Sequence, residues 1–95
     1  MCPEQFGARA VAGAVRSEAY QNLLHELVRF RQEAGLSQAM LAQSLGKPPS
    51  YVGKYELGER RLDVVELAVI LKALNVDIRH VLLKIQAEAP DSLDK

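Results

Sequence analysis

The sequence predicts an all-α fold, five short helices around one core. Three observations carry this. Apolar residues recur at intervals of three and four, as at Tyr20, Leu23, Leu24, Leu27 and Val28, the one-face spacing of an amphipathic helix. No stretch alternates apolar and polar residues as a half-buried strand would. Start and stop signals follow one another in order, with Ser17, Ser37, Asp63 and Asp77 as N-caps and Gly35, Gly46, Gly58 and Asn75 as ends.

The elements follow from these signals. Residues 1–16 are rich in small side chains and read as a flexible N-terminal arm, with some helical character at Ala8 to Val15. Residues 17–89 form the folded domain, and residues 90–95 a frayed tail that begins at Pro90. Helix one starts after Ser17 and ends near Ala34. Helix two starts after Ser37 and turns Leu41, Ala42 and Leu45 inward. Met40 stands where an acidic residue would complete a capping box with Ser37, so this helix starts less firmly. Gly46 ends it, and Lys47 lies in the turn because a residue before proline avoids the helical region. Pro49 suits the first turn of helix three, where its missing N–H has no helical partner anyway. Leu57 is expected to be exposed just before the Gly58 stop. Asp63 and Glu66 form an acidic capping box for helix four, which is apolar nearly all round and is expected to be buried on most sides. Asp77 caps helix five, with a stripe of Ile78, Val81, Leu82 and Ile85.

A chain of 95 residues is one domain, and its scarcity of aromatics leaves aliphatic side chains to fill a modest core. Twelve basic and twelve acidic residues balance. Global charge therefore argues weakly against nucleic acid, and only a local excess could bind phosphate. Such an excess exists between Lys47 and Arg61, where four basic residues face two acidic ones, a net of +2. Cys2 is the only cysteine, so no disulfide forms within the chain, which fits a reducing cytoplasm. It is expected to be an exposed thiol without a role. The apolar run Leu67 to Leu71 is far short of the ~20 residues of a membrane span. His25 and His80 have no cysteine or carboxylate cluster at ligand spacing, so no metal site is expected. No nucleophile motif or glycine-rich phosphate loop occurs, and Glu56 and Glu59 lie on a helix end, so neither enzyme activity nor a cofactor is expected.

Helices two and three, joined tightly at Gly46, have the form of a helix-turn-helix unit, whose second helix is narrow enough to enter the DNA major groove. Positions 49, 50, 53 and 54 share one face of helix three, while Val52 and Tyr55 point to the core. Gly35-Leu36-Ser37-Gln38, Leu41-Ala42, Leu45-Gly46, Tyr55-Glu56, Gly58, Arg60 and the Leu67 to Leu74 segment together resemble the Cro and phage-repressor type of helix-turn-helix, the XRE family. The likeness covers residues 20 to 80. It implies a five-helix lambda-repressor-like DNA-binding domain, working as a homodimer on near-palindromic double-stranded operators.

Carried over by position, the resemblance places base contacts at Pro48, Pro49, Ser50 and Lys54. Pro49 replaces a residue that is often glutamine in the family, and Gly53 offers no side chain. Base readout must then lean on Ser50, Lys54 and Tyr51. Gln38 matches a phosphate-contacting position, with Ser37 beside it. Lys47, Arg60 and Arg61 flank the same face as further phosphate contacts. Arg31 and Glu56 match a family ion pair joining helix one to helix three. The apolar excess on helix five, at Ile78, Val81, Leu82, Leu83 and Ile85, is expected to form the dimer interface. In the alternative monomer, Ala8 to Val15 folds over helix five.

The implied function is a small repressor or autoregulator, expected in the cytoplasm as a bacterial or phage nucleoid-associated protein. The chain after Leu74 is too short for a separate effector domain. The alternatives are an antitoxin that binds a toxin protein while repressing its own operon, a restriction–modification controller, and a protein-interaction module without DNA binding.

Overall fold

The computed structural model of the chain describes residues 17–93. The N-terminal arm, with Cys2 and the Ala8 to Val15 cover for helix five, lies outside the described residues, as do residues 94–95. Five helices follow one another: α1 Glu18–Glu33, α2 Gln38–Ser44, α3 Ser50–Glu56, α4 Val64–Ala73 and α5 Ile78–Glu88. Among the described residues there is no strand.

Local chemistry sets each boundary. Ser17 Oγ accepts the Tyr20 N–H at 3.1 Å, and Ser37 Oγ accepts the Met40 N–H at 3.0 Å. Each hydroxyl thereby satisfies one of the donors a helix start leaves orphaned. At the other end of α2, the Lys47 N–H donates to Ala42 O and the Gly46 N–H to Gln43 O. This double closure needs a left-handed residue, and Gly46 supplies it at φ 69°. Gly58, at φ 82°, closes α3 in the same way. Asp63 and Glu66 complete their reciprocal cap at 2.7 and 3.0 Å, which fixes where α4 begins.

The core gathers one face from every helix. Leu24 and Leu27 of α1, Leu41 and Ala42 of α2, Val52 and Tyr55 of α3, Ile70 and Leu71 of α4 and Val81 of α5 are all buried. A fully buried aliphatic side chain of this kind contributes about 1.5–3 kcal/mol. α1 packs on α3 and α5, α2 on α3, and α4 on α5. Tyr20 adds a polar tie, its hydroxyl accepting the Leu62 N–H at 3.1 Å and holding the α3–α4 connection against α1.

Two expectations need correction. α4 is not buried on most sides. Leu67, Ile70 and Leu71 face inward, but Val64, Val65 and Val69 are exposed, the first two by about two thirds. Among the described residues no second layer covers the outer side of that helix. Val81 is likewise not on an outward face: it is 5% exposed and packs into the core. Of the helix-five residues expected to meet a partner, Ile78 and Ile85 are half-buried against the core, and Leu82 and Leu83 are exposed.

Candidate nucleic-acid interface

The outer face of the α2–turn–α3 unit is built from the connection and the first turns of α3. The Tyr51 N–H donates to Pro48 O at 3.0 Å, so the two prolines lead directly into the helix. Pro49 already has helical backbone angles. Pro48, Pro49, Ser50 and Lys54 are exposed and Gly53 is partly so. Val52 and Tyr55, on the opposite side, have no exposed surface and anchor the helix. A rigid inner face thus presents a small, shallow outer one, made of two proline rings, a hydroxyl, a glycine and one ammonium group.

Tyr51 is misplaced in that set and must be corrected. It is 8% exposed, packs edge-on against Tyr55 with ring centroids 5.6 Å apart, and belongs to the core. Its ring is not free to meet a base edge. Instead it gathers cations: Lys47 Nζ lies 5.4 Å from the ring centroid and Arg60 Cζ 5.2 Å from it. Its hydroxyl donates to Glu66 Oε2 at 3.2 Å, the oxygen that also pairs with Arg60. Burial is the main reason its phenol titrates above the usual range. The Asp63 N–H first, then Arg60, hold the Glu66 carboxyl below its ordinary value, and Glu66 in turn raises Arg60.

The sequence reading missed this second use of Glu66. The acidic residue was legible as a cap, but nothing in the spacing of 51, 60 and 66 brings them together without the loop that folds back past α3. Arg60 is consequently spoken for by a carboxylate as well as by Tyr51. Arg61 and Lys54 are exposed, and among the described residues neither enters an ion pair.

Arg31 and Glu56 form a two-point pair, Nε to Oε2 at 2.7 Å and Nη2 to Oε1 at 3.2 Å. Their side chains are only 12% and 6% exposed. Arg31 Nη1 also donates to Leu36 O at 2.9 Å, so one guanidinium clamps α1, the α1–α2 connection and α3. Gln38 joins the cluster, its Nε2 donating to Glu56 Oε1 at 2.8 Å. Ser37 uses its hydroxyl for the α2 cap. With Glu56 neutralised by Arg31, the positive excess around α3 stands without that carboxylate against it.

Among the described residues no three His, Cys, Asp or Glu side chains converge as metal ligands, and no helix is long and apolar enough to cross a membrane.

The helix-turn-helix family HTH_3 matches residues 27–81, more than half of the chain. No curated protein matches it. Among solved structures, an XRE-family like protein from Pseudomonas syringae pv. tomato str. DC3000 is similar at 42% identity and a TM-score of 0.70, over 76% of this chain and 88% of that one. The clp gene regulator ClgR from C. glutamicum is similar at 26% identity and a TM-score of 0.62, over 86% of this chain and all of that one. With a groove-sized helix held outward by a buried face, cations beside it and these likenesses, the chain belongs to the XRE family of DNA-binding helix-turn-helix transcription regulators.

Proposed function

We propose that the protein is a dimeric repressor or autoregulator that inserts α3 into the major groove of a near-palindromic operator. The observation that carries this reading is the outer face of α3: Ser50 and Lys54 exposed on one side, with Pro48 and Pro49 at its leading edge and Val52 and Tyr55 locked behind it. Ser50 and Lys54 read base edges, while the proline rings offer apolar contact of the kind a thymine methyl accepts. Lys47, Arg61 and Ser37 meet phosphates on either side and set the register, and Arg60 adds its charge while it stays paired with Glu66. The protein acts in the cytoplasm, where such an operator is found, and as a binding protein rather than an enzyme.

The dimer rests on apolar surface. Leu82 and Leu83 stand exposed beside the half-buried Ile78 and Ile85. A two-fold contact through α5 buries them and sets two copies of α3 about one DNA turn, ~34 Å, apart.

Selection of bound sequences from a random duplex pool, followed by footprinting, tests the reading. Ser50→Ala and Lys54→Ala should each erase preference at particular base pairs, each good contact being worth about 1–3 kcal/mol. Arg61→Ala should weaken binding to all sequences alike and lower the salt slope by about 1. Unchanged selectivity in the double Ser50, Lys54 variant would remove α3 from the groove.

A further inference from the structure

Gly53 leaves a gap in the middle of the outer face of α3, and the structure shows what lies over it. A Cβ built on Gly53 would sit 3.3 Å from Gln38 Oε1, with the rest of that carboxamide at 3.8 Å. The side chain of Gln38 therefore crosses from the start of α2 onto α3, where helix three itself supplies nothing. Its orientation is not free. The Glu56 carboxylate is held by Arg31 and can only accept, so the Gln38 amide must turn its NH2 toward it, as the 2.8 Å contact records. The carbonyl oxygen is thereby aimed over Gly53, and the second N–H of the amide remains beside it.

We infer that Gln38 is a specificity-determining residue, one that reads an adenine through the gap left by Gly53. This deepens the proposed operator-binding function and rests on it. A glutamine amide with one acceptor and one donor side by side matches adenine in the major groove, accepting from its N6 amino group and donating to N7. The chain Arg31, Glu56, Gln38 fixes the amide before DNA arrives, so little side-chain freedom is lost on contact. A phosphate only accepts, so the contact that the family resemblance implies for Gln38 would need its NH2 turned toward the DNA, whereas that group is committed to Glu56.

Two variants test the assignment in the selected-pool experiment. Gln38→Ala should flatten the preference for adenine at one position of each half-site, by about tenfold, and leave the other positions as they are. Gly53→Ala places a methyl group where the amide lies and removes a poor helix former, so its melting temperature should hold or rise. Its preference at that same position should nevertheless change, and combined with Gln38→Ala it should change that position no further, which a methyl meeting the DNA on its own would not produce. A pattern unchanged in either variant overturns the inference, as does a uniform loss with a lowered salt slope in Gln38→Ala. If the wild-type protein selects no sequence at all, the operator-binding reading itself fails. A wild-type pattern preserved in Gln38→Ala sinks this assignment alone.

Discussion

Removing the Glu56 carboxylate should cost the fold about 3 kcal/mol, the lower end of what breaking a buried ion pair costs. Glu56→Ala deletes both contacts to Arg31, at 2.7 and 3.2 Å, and the acceptor of the Gln38 amide at 2.8 Å. It leaves a guanidinium that is 12% exposed without a counter-charge. The lower end applies because Arg31 keeps its bond to Leu36 O and some access to water. A small domain has a total stability near the bottom of the usual ~5–15 kcal/mol range, so the loss is a large share of it. Urea denaturation followed by circular dichroism reads it directly. With a slope near 1 kcal/mol per molar, the midpoint should fall by about 3 M. Arg31→Ala should lose a comparable amount, and the double variant should recover part, with a coupling between about 0.5 and 3 kcal/mol. Glu56→Gln, which keeps the shape and loses the charge, should fall between. A Glu56→Ala cost below ~1 kcal/mol, the level of an exposed pair, would show that the clamp is not what joins α1 to α3. So would additivity of the two single changes.

Other perturbations address separate parts of the molecule. The Tyr55 hydroxyl is buried without a hydrogen-bond partner among the described residues, and burial pushes its titration far up. Tyr55→Phe should therefore be neutral or stabilise by up to about 1 kcal/mol, and a destabilisation of that size in thermal melting would mean the hydroxyl has a partner. The fold favours the charged form of Glu66, whose pKa lies below the ordinary 4.5, so its contribution is present above that value and lost as pH falls through the folded one. Melting temperature against pH should accordingly drop on the acid side, and Glu66→Gln should make that limb shallower; an identical limb in the variant would refute the role. Leu83→Glu should turn a dimer into a monomer by sedimentation at micromolar concentration and weaken operator binding, and no change in either would move the partner surface away from α5.

Helix starts and stops were legible because they are local chemistry. A hydroxyl or carboxylate accepts from an N–H three residues on, and glycine takes a backbone that other residues resist, so Ser17, Ser37, Asp63, Gly46 and Gly58 act within a few positions of themselves. Periodicity likewise chose Leu24, Leu27 and Val52 for the core, because a helix has only one face to bury. The Arg31–Glu56 pair was legible by a different route, through the resemblance to a family. Periodicity did not reveal which apolar helix would find no neighbour. α4 reads as buried on most sides, yet among the described residues no layer lies beyond it, and Val64, Val65 and Val69 are exposed. The fate of Tyr51 was decided by contacts across 9 and 15 positions of sequence, to Arg60 and Glu66, and the placement of Gln38 over Gly53 by the angle at which α2 meets α3. Such contacts depend on how helices pack, and packing is a property of all the side chains at once.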